Sequence, residues 1–186
     1  MRIDAALQYG TSQLVETSSS ARLDTELLLA HCLKKQRTFL YTWPEKTLTT
    51  KQIKAFDDVL SMRTTLYPVA YIVGYQEFWS LELKVTPDVL IPRADTELLV
   101  EAALEKIAKL KSPKILELGT GSGAIALALA TERQDSEIVA ADISEKALNI
   151  ARENSDALDI TNIHFILSDW FKNVPPQQYD LIVSNP

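Results

Sequence analysis

The sequence predicts an α/β protein built from an N-terminal helical bundle, a β-hairpin linker and a partial Rossmann-like domain with a doubly wound, mainly parallel sheet. Three observations carry this reading. Up to Arg63 the apolar residues recur at helical spacing, with no glycine between Gly10 and Gly74. After Gly74 the text changes to Phe78-Trp79-Ser80-Leu81-Glu82-Leu83-Lys84-Val85, alternating about a turn. Beyond Pro113, segments of strand and helix period alternate, which in one sheet means parallel strands joined by right-handed crossovers.

Taken in order, Leu23, Leu27, Ala30 and Leu33 share one helical face, with Ser20 placed to cap it. Ile53, Phe56, Val59 and Leu60 share another, in a helix starting near Thr50. Ser18-Ser19-Ser20 and Trp43-Pro44-Glu45 read as short connections. Pro68 ends the helical pattern, and Pro87 and Pro92 stiffen the passage toward a helix capped by Asp95 or Thr96 and running to about Leu110. Lys114 to Leu118, Glu137 to Ile143, Ile163 to Leu167 and Tyr179 to Val183 read as strands. Ala124 to Thr131 and Glu145 to Leu158 read as the helices between them. The domains are therefore expected at 1–73, 74–92 and 93–186.

Composition excludes several functions. With 186 residues, 46% apolar and 24% charged, the chain has the make-up of an ordinary globular protein. A net charge of −6 argues against a general polyanion binder, because such affinity needs clustered Lys and Arg. Residues 1–86 hold 10 basic and 9 acidic side chains and residues 87–186 hold 9 and 16, so the acid excess lies in the second half. One cysteine, Cys32, closes no intrachain disulfide, and His31 and His164 lie too far apart for a zinc motif, so no metal is expected. Met1-Arg2-Ile3-Asp4 leads into no long apolar core, and the longest apolar run is Ala124 to Ala130. A cytoplasmic protein without membrane contact is expected. His31, Cys32, Trp43 and His164 read as packing or surface residues.

The sharpest motif is Glu117-Leu118-Gly119-Thr120-Gly121-Ser122-Gly123, where three of five glycines fall within five residues. Between a strand and a helix, such a turn brings backbone close to a ligand and is expected to aim free N–H groups at it. Gly119, Gly121 and Ala124 also satisfy a dinucleotide fingerprint, and Asp142 lies where a ribose-binding carboxylate belongs, so an NAD(P)-dependent oxidoreductase is a rival. Glu117 favours a different ligand. A carboxylate two residues before the first glycine suits an ammonium group, which S-adenosyl-L-methionine carries there and a dinucleotide does not. Asp142 would then accept the ribose hydroxyls, Asp169 the adenine amino group, and Trp170 would supply a flat apolar wall.

With Ser184-Asn185-Pro186 at the end of the fourth strand, the chain resembles the bacterial protein-(glutamine-N5) methyltransferases that modify class 1 peptide-chain release factors, the HemK family. Besides the glycine loop, the resemblance rests on Ala21-Arg22-Leu23-Asp24-Thr25-Glu26-Leu27-Leu28, Pro68-Val69-Ala70-Tyr71-Ile72, Glu77-Phe78-Trp79, Leu90-Ile91-Pro92-Arg93, Thr96-Glu97, Ser168-Asp169-Trp170-Phe171 and Ile182-Val183-Ser184-Asn185-Pro186. It implies a class I methyltransferase domain at 93–186, a substrate-recognition role for 1–73, and S-adenosyl-L-methionine as donor with S-adenosyl-L-homocysteine as product. It also implies that the Asn185 side-chain oxygen and the Pro186 carbonyl accept the two N–H groups of a substrate glutamine, as catalytic and substrate-binding residues. Partners would be class 1 release factors, with no direct nucleic acid and a monomer at full length. DNA amino-methyltransferases share the Asn-Pro chemistry, but neither half of this chain has the basic excess they need. Two departures stand out: Ala94 replaces the family's usual proline, and of its Asn-Pro-Pro-Tyr loop two residues are present. The domain is therefore expected to be truncated after its fourth strand, with an exposed strand edge, and the fragment to be inactive.

Overall fold

The computed structural model describes residues 1–186, which divide into two compact units, Met1–Gly74 and Tyr75–Pro186. The first unit holds five helices: α1 (Ile3–Leu14), α2 (Ala21–Leu33), α3 (Arg37–Thr42), α4 (Thr50–Thr64) and α5 (Val69–Val73). Its core gathers Ile3, Leu7, Leu14, Leu28, Leu29, Leu40, Phe56 and Leu60. Helix α4 opens with a capping box in which Thr49 and Gln52 satisfy each other's amides. Pro68 does not end the helical text, because α5 follows it and stops where Gly74 takes φ 88°.

Helix α2 departs from its apolar stripe. Leu23 is 41% exposed, and the buried face instead carries Asp24, Thr25 and Glu26 with Leu28 and Leu29. These acids are buried because each meets partners: Asp24 accepts from Arg63 Nε at 2.8 Å and from the Ser18 and Ser20 hydroxyls, while Glu26 accepts from Arg22 and Arg37. Ser20 makes no cap bond, its hydroxyl being turned to Asp24.

The second unit begins with the hairpin β1 (Tyr75–Phe78) and β2 (Leu81–Lys84), in register Tyr75 with Lys84 and Phe78 with Leu81. Phe78 and Leu83 are buried in the main core of this unit. Four parallel strands follow, β3 (Lys114–Leu118), β4 (Glu137–Asp142), β5 (Ile163–Leu167) and β6 (Leu181–Ser184), in the order β5-β4-β3-β6. Helices α6 (Glu97–Ile107), α7 (Ala124–Glu132) and α8 (Glu145–Ala157) complete it. Ile115, Ile138, Ala140 and Val183 face α6 and α7, whereas Leu116, Leu118, Val139 and Ala141 meet Ile166, Val174 and Tyr179 on the other side. From β3 the chain builds outward to β5 and then crosses back to place β6 on the opposite flank of β3. Such a reversal opens a crevice at the carboxyl ends of the strands.

Boundaries differ locally from expectation. Helix α6 ends at Ile107, and neither Asp95 nor Thr96 makes a cap bond; a 3-10 turn at Ala94–Thr96 leads into the helix. Strand β4 stops at Asp142, leaving Ile143 71% exposed. Strand β6 starts at Leu181, because Asp180 is occupied in bracketing Lys114, exchanging bonds of 2.8 Å through its amide and its carboxylate.

Gly10 allows the close helix crossings of the first unit, since an added Cβ would lie 2.6 Å from Thr25 Cγ2 and 2.8 Å from Phe56 Cζ. Gly10→Ala is therefore expected to destabilise the unit by about 1–3 kcal/mol despite alanine's better helix propensity, read as a lower melting temperature by circular dichroism.

Candidate active site

Strand β3 delivers Glu117 to the carboxyl edge of the sheet at a position that in a buried parallel strand is ordinarily apolar. The residue is 1% exposed. Its Oε2 accepts from the Thr120 hydroxyl at 2.6 Å and from the Ala126 amide at 3.1 Å, tying the strand end to the opening of α7. Burial raises the Glu117 pKa to about 7; the bonds from Thr120 and Ala126 oppose the rise and the Asp142 charge adds to it.

Between β3 and α7 the glycine loop turns through positive φ at Gly119 (75°), Gly121 (56°) and Gly123 (85°). At Gly119 and Gly121 nothing would meet a Cβ, so backbone conformation is what requires glycine there. At Gly123, which opens α7, an added Cβ would also crowd Leu127 and Ala151. Four of the loop amides are not free as expected. Those of Gly119 and Thr120 donate to the Ala141 carbonyl, Gly123 donates to the Thr120 carbonyl, and Gly121 donates to Asp142 Oδ2 at 2.8 Å. They hold the loop's own shape.

Asp142, at the end of β4, accepts from Gly121 through one oxygen and from the Ser144 amide through the other, at 2.9 Å. Ser144, not Asp142, caps α8. After β5, Ser168 donates to the Trp170 carbonyl and accepts from the Asn173 amide, which sets the turn that carries Asp169 and Trp170. Asp169 pairs with Lys172 at 2.6 Å, and Trp170 is 58% exposed. After β6, the Ser184 hydroxyl donates to the Leu118 carbonyl at 2.8 Å, and Asn185 Nδ2 donates to Thr96 Oγ1 at 2.9 Å.

Two adjoining hollows result. One is lined by Glu117, Gly119, Thr120, Gly121, Ser122 and Asn185, with Arg93, Thr96 and Leu90 to Pro92. The other is lined by Asp142, Asp169, Trp170 and Pro186, with Leu118, Gly119, Ile143 and Ser184. Gly119 is common to both. Of the loop residues, Gly123 lines neither and acts as the opening of α7. Outside these hollows, His31 and His164 are exposed, Trp43 is half exposed, and burial with the Asp58 charge raises the Cys32 thiol to about 11.

Sequence reasoning missed Thr96 and Asn154. The first was read as a cap; the dipeptide Thr96-Glu97 was visible, but not its partner 89 residues on. The second, 3% exposed, donates to the Ser122 carbonyl at 2.9 Å and exchanges two bonds with the Lys84 backbone, joining the glycine loop to β2. An asparagine in a helical text carries no signal for that.

Comparison with known proteins agrees in both units. The family described as "PrmC N-terminal domain" matches residues 5–74, and that described as "Methyltransferase small domain" matches residues 94–186. The release factor glutamine methyltransferase of Shewanella oneidensis is 49% identical over 184 residues, covering 99% of this chain and 64% of the relative. That of Escherichia coli K12 is 47% identical over 180 residues, covering 97% and 64%. That of Coxiella burnetii is 45% identical over 186 residues, covering 100% and 67%. The chain thus spans 64% of the length of the first two of these relatives. With such identity along its whole length and matches in both of its units, the chain belongs to the release factor glutamine methyltransferase family.

Proposed function

We propose that these residues hold S-adenosyl-L-methionine and serve the transfer of its methyl group to the side-chain amide nitrogen (N5) of a glutamine in class 1 peptide-chain release factors. The observation that carries the reading is Glu117, a buried carboxyl that lines a hollow and is followed directly by the glycine loop. A nearby cation is what would hold such a group ionised. The donor has an ammonium for that place, and a nicotinamide dinucleotide has none.

The residues fit the donor from end to end. Glu117 would take the ammonium, Asp142 the ribose hydroxyls, and Asp169 with Trp170 the adenine, while Gly119, Thr120, Gly121 and Ser122 shape the floor between them and Gly123, expected from the sequence to be a contact, serves by opening α7. Asp142 keeps capacity for this, since each of its oxygens accepts one backbone bond and a carboxylate oxygen takes two. When bound, the donor supplies a methyl group on a positively charged sulfur. An amide nitrogen is a weak nucleophile because its lone pair is delocalised. Asn185 Oδ1 and the Pro186 carbonyl would each accept one N–H of the substrate amide, fixing its nitrogen in line and stabilising the positive charge it develops. No strong base is required. Residues 1–73 would grip the release factor away from its target glutamine, with 74–92 as the linker. No helix is long and apolar enough to cross a membrane.

Calorimetric titration with S-adenosyl-L-homocysteine and with NAD tests the reading; binding of NAD alone would sink it. Glu117 also predicts a pH dependence. Its carboxyl is raised to about 7, so it is mostly protonated at pH 6 and mostly ionised at pH 8. Affinity for S-adenosyl-L-homocysteine should therefore fall about tenfold from pH 8 to pH 6. Glu117→Gln, which keeps an oxygen for Thr120 and Ala126, should bind weakly at both and lose that slope. The unliganded fold should behave in the opposite sense. A raised carboxyl pKa makes the protein lose stability as pH rises from about 4.5 to 7. Glu117→Gln should consequently melt higher than wild type at pH 8. In a protein extended to the length of its relatives, Asn185→Ala should keep donor affinity within about twofold and abolish tritiated methyl transfer to a release factor.

A further inference from the structure

We propose that Thr96 is a positioning residue for Asn185, an inference that rests on Asn185 being the acceptor for the substrate amide. Thr96 stands where a helix cap belongs, yet its backbone is already helical, at φ −72° and ψ −18°, and its side chain makes no cap bond. The hydroxyl is turned away from the helix and accepts Asn185 Nδ2–H at 2.9 Å. Both residues line the hollow that holds Glu117.

The carboxamide of an asparagine has two ends of nearly equal size and opposite hydrogen-bonding character. Only its oxygen can accept an N–H from a substrate amide. Fastening the nitrogen to Thr96 leaves Oδ1 as the free end and removes the side-chain rotation that an exposed asparagine would otherwise retain. The backbone beside it is fixed separately, by the Ser184 hydroxyl on the Leu118 carbonyl at 2.8 Å. Thr96 is itself held from both sides. Its amide donates to the Arg93 carbonyl at 3.0 Å, and the next residue, Glu97, accepts the Trp79 amide at 2.8 Å. The anchor therefore stands on the hairpin and the start of α6, apart from the strand that carries Asn185.

The test compares Thr96→Val, which keeps the shape and removes the oxygen, with Thr96→Ser, which restores it. In the 15N-labelled protein the Asn185 side-chain NH2 pair is identified by its loss in Asn185→Ala. In wild type and Thr96→Ser it should be shifted and slow to exchange with water, and in Thr96→Val it should move to the position of a free carboxamide. In a protein extended to the length of its relatives, of which this chain spans 64%, methyl transfer to a release factor should lose about 10- to 100-fold in kcat in Thr96→Val, with KM and calorimetric affinity for the donor within about twofold, and Thr96→Ser should recover most of the loss. An NH2 pair unchanged in Thr96→Val overturns the proposal, as does an unchanged kcat with the pair released. If Asn185→Ala transfers methyl groups as wild type does, the acceptor reading falls and the purpose of the anchor with it, a result the unaltered wild-type spectrum keeps separate from absence of the anchor.

Discussion

The carboxylate of Glu117 is the constraint around which the strand ends are organised. Removing an ionisable group from water at the centre of a sheet is unfavourable unless it finds donors, and the chain supplies them from the turn that follows, through the Thr120 hydroxyl and the Ala126 amide. Those bonds reach back from loop and helix to strand, so the same residue that needs solvation also fixes where α7 starts. Asp142 does the corresponding work from β4 by taking the Gly121 amide. The glycine loop is thereby clasped between carboxylates from adjacent strands, and its positive φ angles follow from the path it must take between them. A hollow lined by such a loop is shaped before any ligand arrives.

The hairpin shows how a locally unfavourable turn is tolerated. Trp79 and Ser80 both adopt positive φ, 53° and 59°, in a two-residue turn that asparagine and glycine would fill more easily. The cost is offset elsewhere. The Trp79 amide meets Glu97, its indole N–H meets Glu132 at 2.9 Å, and Phe78 beside it is buried. Asn154 then fastens β2 to the glycine loop through the Ser122 carbonyl. A change in the hairpin is in this way felt at the loop.

In the helical unit the burial of Asp24 and Glu26 follows the same logic. Each acid is placed on an inward face of α2 and neutralised by arginines, Asp24 by Arg63 from α4 and Glu26 by Arg37 from α3 and Arg22 from its own helix. Such pairs add less stability than an apolar face would, but removing one partner would leave the other charge buried and unpaired, which is strongly destabilising.

The sequence by itself determined the periodic features of this protein. The helical spacing up to Arg63, the alternation beyond Pro113 and the glycine cluster are local patterns, and local patterns set element type, strand parallelism and the edge at which a ligand belongs. The row of acids at strand ends was legible for the same reason. Tertiary structure decided what depends on partners distant in the chain: which face of α2 is buried, that four of the loop amides serve the loop, and that Thr96 holds Asn185 instead of capping a helix. A side chain's hydrogen-bonding capacity is written in its identity, but which of several available partners it takes is set by geometry that only the folded chain supplies.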